Sequence, residues 1–127
     1  MGKKKGTRAE RELFHMLWKS KFAVVRGAGS GSTPLPCPDL IAGNGKKVYA
    51  IECKSVKDSK KYFNVEEIKQ LKEFSKKFGA IPLVGIRFDH KGWYFLEPKK
   101  LKKTSKMLMI TFEMAKKKGF SFKDLIK

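Results

Sequence analysis

Three observations predict an α/β fold with a mixed central β-sheet flanked by helices. Leu13, Phe14, Leu17 and Trp18 recur at helical spacing near the start of the chain. Two apolar runs, Pro38 to Ala42 and Val48 to Ser55, flank an Asn44-Gly45 pair, the sequence of a two-residue hairpin turn. Ile81 to Phe88 is almost continuously apolar, as in a strand covered on both faces. The 127 residues suffice for one domain with a real core and are too few for two.

In chain order, residues 1–6 carry Lys3, Lys4 and Lys5 and read as a mobile basic arm. Thr7-Arg8-Ala9-Glu10 reads as a capping box that starts the first helix. Glu10 leads the apolar stripe of that helix and is expected to face inward, whereas Glu12 lies about 200° around the axis and is expected in water. Phe22 to Arg26 predicts a short strand. Gly27 to Pro36 is a Gly/Ser loop closed by prolines, and it lacks the Gly-Lys-Ser/Thr of a phosphate-binding P-loop. After the hairpin, Val56 to Tyr62 reads as a basic connection. Asn64 caps a second helix, with Glu67 completing its box, a stripe of Ile68, Leu71, Phe74, Ser75 and Phe78, and Gly79 as its stop. Ile81–Phe88 and Trp93–Leu96 are strands. Lys99 to Lys106 predicts a loop or short helix, Met107 to Met114 a strand, Lys116 to Gly119 a break, and Ser121 the cap of a last turn.

The hairpin carries the chemistry. With Asn44-Gly45 as the loop, Gly43 faces Lys46 and Asp39 faces Ala50, one diagonal step from Glu52. Asp39, Glu52 and Lys54 then share one face of the ribbon, and Tyr49, Ile51 and Cys53 take the other. Two carboxylates among Leu, Ile, Val and Ala repel one another unless a cation lies between them. Oxygen donors select a hard cation, magnesium or manganese, and a lysine two residues on can hold a water or stabilise developing negative charge. The plainer reading, a Glu–Lys pair on a solvated sheet, leaves Asp39 without a role.

Composition narrows the partner. A net charge of +18 implies a polyanion, and the excess of Lys over Arg suits phosphate contact more than base reading. No run approaches a membrane span and no signal peptide opens the chain, so a cytoplasmic, nucleoid-associated protein with no membrane partner is expected. Cys37 and Cys53 are expected as free thiols, because the hairpin gives them no bridging geometry. His15 and His90 have no Ser or Cys partners and read as surface residues.

Pro38-Asp39 followed by Glu52-Cys53-Lys54 resembles the PD-(D/E)xK nuclease motif. With Gly6 to Leu13, Phe22 to Ser30 and Pro38 to Gly45 around it, the chain is similar to archaeal Holliday junction resolvases of the Hjc type. The match runs in order from Gly6 to about Leu96, and the tail after Lys99 matches poorly. The resemblance implies a restriction-endonuclease-like nuclease core and a homodimeric, magnesium-dependent endonuclease that cuts four-way DNA junctions by paired nicks, leaving 5′-phosphates. It implies Glu10, Asp39 and Glu52 as catalytic acids and metal ligands, the Cys53 carbonyl as a further ligand and Lys54 as the catalytic lysine. Arg11 and Arg26 would bind phosphate, and Ser30 falls on a loop serine that some members use in catalysis and DNA contact. Lys3, Lys4, Lys5 and Arg8 would add DNA affinity. Manganese is expected to substitute for magnesium. Two rivals remain open at this point: another nuclease of the same fold in repair or restriction, and a non-catalytic architectural DNA-binding protein.

Overall fold

The computed structural model describes residues 2–27 and 36–127. Helix α1 (Gly2–Lys19) leads to strands β1 (Ala23–Arg26), β2 (Leu40–Gly43), β3 (Val48–Val56) and β4 (Lys60–Asn64). Helix α2 (Val65–Phe78), β5 (Ile81–Phe88), β6 (Gly92–Leu96) and a 3₁₀ turn at Pro98–Lys100 follow. Next come β7 (Lys102–Lys103), β8 (Met107–Thr111), α3 (Phe112–Lys118), β9 (Phe120–Ser121) and α4 (Phe122–Leu125). Among the described residues one sheet has six strands in the order β1-β2-β3-β5-β6-β9, and a second has three in the order β4-β8-β7.

The large sheet is mixed. β3 and β5 run parallel, joined by the crossover through α2, and every other neighbour pair in that sheet is antiparallel. On one face, Leu13 and Leu17 of α1 pack on Leu40, Ile51, Cys53, Leu83 and Phe95. On the other, Ile68 and Leu71 of α2 pack with Ala50, Val84, Ile86, Phe63 and Ile110, the last two from the small sheet. Strand β5 therefore sends Leu83 into one core and Val84, Ile86 and Phe88 into the other. This is the physical reason for its unbroken apolar run. Each fully buried Leu or Ile here contributes roughly 1.5–3 kcal/mol by burial.

Several expectations change. Helix α1 starts at Gly2, so Thr7 lies within it and residues expected as a mobile arm form its first turns. Lysines are good helix formers, and extending an existing helix adds one hydrogen bond per residue fixed. The hairpin loop has four residues: Gly43 pairs with Val48, not Lys46, and Leu40 with Ile51. The Asn44 side chain causes this. Its Oδ1 accepts from the Lys46 and Lys47 N–H groups at 2.9 and 2.8 Å, closing a side-chain turn around Gly45 at φ 90°. The shift is of two residues, so no side chain changes face. Part of the expected Val56–Tyr62 connection is strand β4, paired to β8. The chain expected to stay extended to Met114 turns at Thr111, whose hydroxyl accepts from the Met114 N–H at 3.1 Å and caps α3. Trp18 and Phe78, expected on inward stripes, are exposed, and Phe78 stacks on Phe74 at 5.3 Å.

Candidate active site

Strand β2 begins at Leu40, one residue short of the level at which β3 carries Glu52. At that level the Asp39 side chain takes over from the ladder: the Cys53 N–H donates to Asp39 Oδ2 at 2.8 Å. The Asp39 carbonyl in turn accepts from the Gly27 N–H at 2.8 Å, which ties Asp39 to the end of β1. A Cβ on Gly27 would lie 2.0 Å from the Pro38 carbonyl oxygen, so only glycine permits this approach. Asp39 and Glu52 therefore sit directly across from each other, closer than the diagonal relation expected from the two-residue turn. Lys54 follows on the same face of β3.

The two acids are electrostatically strained. Glu52 is pushed up to about 8, first by burial and then by the neighbouring Asp39 carboxylate. Burial also raises Asp39; the Cys53 N–H opposes that rise and the Glu10 charge adds to it. Burial pulls the Lys54 ammonium down, but its bond to Glu67 and the charges of Glu67, Glu52 and Asp39 outweigh it and leave Lys54 above the usual lysine value. The Cys53 thiol is held far above its ordinary range by burial, then by Asp39 and Glu52, and is inert.

Glu10 sits inward on α1 as the helical phase requires, with its side chain only 14% exposed, and accepts from Arg26 Nε at 3.0 Å. Two expected site residues thus form an ion pair beside Asp39. Glu12 is exposed but is not a free solvent carboxylate. Its Oε1 accepts from Arg87 Nε at 2.9 Å and from Trp93 Nε1 at 2.7 Å, fastening α1 to β5 and β6. Long-range donors on strands cannot be read from helical phase. Arg8 and Arg11 are exposed on α1. Arg8 lines an open cavity of about 230 Å³ with Ala9, Glu12, Ser55 and Arg87. Lys3, Lys4 and Lys5 belong to the first turns of α1. Ser30 lies outside the described residues. Cys37 is exposed and Cys53 buried, both free thiols.

One residue at the site escaped the sequence reading. Glu67, expected to close a capping box, instead meets Lys54 Nζ at 2.7 Å with Oε1, and its charge adds to the rise of Glu52. The Asn64 side chain caps α2 through the Glu66 N–H at 2.9 Å. A signal was present: Glu67 leads the buried positions Leu71 and Ser75 at helical spacing, as Glu10 leads Leu13 and Leu17. Among the described residues no three His, Cys, Asp or Glu groups already close around one point. What converges is a half-buried pair of oxygen donors, a lysine and a further carboxylate.

The family model of the archaeal Holliday junction resolvases (Hjc) matches residues 1–127. The chain belongs to that family. It is 44% identical over 108 residues to a crossover junction endodeoxyribonuclease Hjc of Archaeoglobus fulgidus, covering 85% of this chain and 79% of the relative. It is 36% identical over 98 residues to a crossover junction endodeoxyribonuclease Hje of Saccharolobus solfataricus, covering 75% and 73% of the two chains. The solved 1.6 Å structure of Archaeoglobus fulgidus Hjc, described as a Holliday junction resolvase from an archaeal hyperthermophile, superposes with a TM-score of 0.90 at 37% identity. That match covers 96% of this chain and all of the solved one. The mixed sheet with flanking helices is thus the family's nuclease core, and the family model extends through the tail after Lys99, which the motif resemblance matched poorly. No helix among the described residues is long and apolar enough to cross a membrane.

Proposed function

We propose that this protein is a DNA endonuclease that resolves four-way junctions by paired phosphodiester hydrolysis, with Asp39, Glu52 and Lys54 at its centre. The observation that carries this reading is the facing pair Asp39 and Glu52, locked by the 2.8 Å Cys53–Asp39 bond with Lys54 beside it. Burial has been spent on holding two like charges together, an arrangement that destabilises a fold unless a cation uses it.

The donor set fits magnesium, with manganese as a substitute: Asp39 and Glu52 offer carboxylate oxygens, and the Cys53 carbonyl projects to the same edge of β3 as its N–H. When bound, such an ion supplies Lewis-acid stabilisation of the scissile phosphate and a water of lowered pKa. The protein's share is positional. Asp39 just before β2 and Glu52 on β3 would hold such an ion. Glu10 lies close enough to raise Asp39 and is suited to help hold a second ion. Lys54 orients the attacking water and offsets charge on the phosphate, and Arg26, held by Glu10 at 3.0 Å, presents its guanidinium to the DNA backbone. Departure of the 3′ oxygen leaves a 5′-phosphate. Arg8, Arg11, Lys3, Lys4, Lys5 and Ser30 add sequence-independent phosphate contact, and +18 on one small domain makes that contact strong. Junction selectivity then comes from shape. A two-fold homodimer presents two acid clusters to a near two-fold substrate, so both strands are nicked before release. The protein works in the cytoplasm, on the nucleoid.

The test is magnesium-dependent nicking of a synthetic immobile junction, in competition with a large excess of linear duplex at moderate salt, with mass measured by light scattering. Paired nicks with 5′-phosphates from a dimer are expected. A monomer, or displacement of junction by duplex on equal terms, would sink the reading.

A further inference from the structure

The lysine of such a site has a flexible four-carbon stem with many rotamers to lose. Its ammonium works on the reacting atoms only if something holds it there. Lys54 projects from β3 toward α2, and its side chain is 30% exposed, so its own packing does not immobilise it. The contact that does is Glu67 Oε1 at 2.7 Å.

Glu67 is itself well anchored. It lies in the first turn of α2, one helical turn before buried Leu71, next to Ile68, which is 1% exposed. That end of the helix is fixed by the Asn64 cap, and the other by Gly79 in the left-handed region at φ 86°. Ser75 is buried and donates to the Leu71 carbonyl at 2.7 Å. Glu67 also lies near enough to Glu52 to add to the rise of that acid, so one carboxylate pairs with the lysine at the edge of the facing acids. Its neighbour Glu66 points outward and is exposed. A surface pair kept for stability alone is worth little and has no need to sit beside the facing acids.

We propose that Glu67 is a positioning residue: it fixes the Lys54 ammonium beside the Asp39–Glu52 pair and so couples the docking of α2 to cleavage. This rests on the nuclease reading above. Asp39 and Glu52 are committed to the reacting centre, and Glu67 is the anion left over to keep Lys54 in place through the reaction. Arg26 is likewise paired with a helix carboxylate, Glu10 of α1.

The experiment is a double-mutant cycle on single-turnover cleavage of a labelled synthetic junction. It uses the full chain and the variants Glu67→Gln, Glu67→Asp, Lys54→Ala and the Lys54→Ala/Glu67→Gln pair, with Glu66→Gln as control. Glu67→Gln is expected to slow cleavage by about 10- to 100-fold, the cost of an ångström-scale misplacement. Junction affinity and melting temperature should be unchanged, and Glu67→Asp should fall between the two. On the Lys54→Ala background, Glu67→Gln should change the rate by less than about twofold, because the partner it positions is gone. The control should cleave normally. Cleavage by Glu67→Gln within about threefold of wild type, or losses that multiply in the double variant, overturn the proposal and leave the nuclease reading intact. A Lys54→Ala variant that cleaves normally overturns the roles of both residues. A wild-type protein that leaves the junction uncut overturns the nuclease reading, and this inference with it.

Discussion

Replacing Glu52 with Gln should stabilise the metal-free protein, and by an amount that grows with pH. In the fold Glu52 holds its proton to about 8, against an ordinary value of 4.5. Between those values the folded state binds more protons than the unfolded one, so stability is lost as pH rises through the window. At 1.36 kcal/mol per pH unit the gap corresponds to a ceiling of about 5 kcal/mol above pH 8. Asp39 and Glu67 share the proton economy of the cluster, so about half that ceiling is a reasonable expectation. Glutamine keeps the shape and removes the charge. Relative to wild type, Glu52→Gln should therefore be nearly neutral at pH 4.5. At pH 8.5 it should be more stable by about 2–3 kcal/mol, or about 10 °C in melting temperature. The assay is thermal and urea unfolding in a chelator at pH 4.5, 6.5 and 8.5, repeated with magnesium. The ion should raise the wild-type midpoint most at pH 8.5 and leave the variant's nearly unmoved. A stability difference that is the same at every pH would refute the argument, since only the charge titrates.

Five further outcomes can be checked. Asp39→Asn should abolish junction cleavage while junction affinity measured by gel shift stays within about threefold, because the side chain loses charge and not shape. Glu10→Gln should be nearly inactive in the same assay. Glu12→Ala should keep its cleavage rate yet lose about 1–3 kcal/mol in urea unfolding, because the buried Trp93 N–H is left without its acceptor. Gly27→Ala should cost about 1–3 kcal/mol and slow cleavage, since its Cβ displaces the segment that fixes Asp39. Affinity for long duplex should fall steeply with salt, each phosphate contact adding about 0.9 to the log–log slope, and a flat response would argue against backbone-dominated binding.

How far the sequence reached depended on the range of the interaction. Periodicity and turn residues are local, and they announced α1, the hairpin, α2 with its Asn64 cap and Gly79 stop, and the doubly buried β5. Side-chain alternation is also local, so Asp39, Glu52 and Lys54 could be assigned to one face even with the register misjudged by two residues. Parity survives such a slip, whereas the distance between the acids does not. The folded structure showed that Asp39 and Glu52 stand directly opposite, because the Asn44 side chain closes a four-residue loop, a local alternative that an Asn-Gly pair does not distinguish from a two-residue turn. It decided that Glu12 is an anchor, since Arg87 and Trp93 arrive from 75 and 81 residues away. It also turned Glu67 from a capping residue into the partner of Lys54. An Asn-x-x-Glu box and a catalytic neighbour read identically along a chain. They differ only once β3 and α2 are packed and a carboxylate must choose between a backbone N–H and a half-buried ammonium, whose full charge makes it the stronger partner.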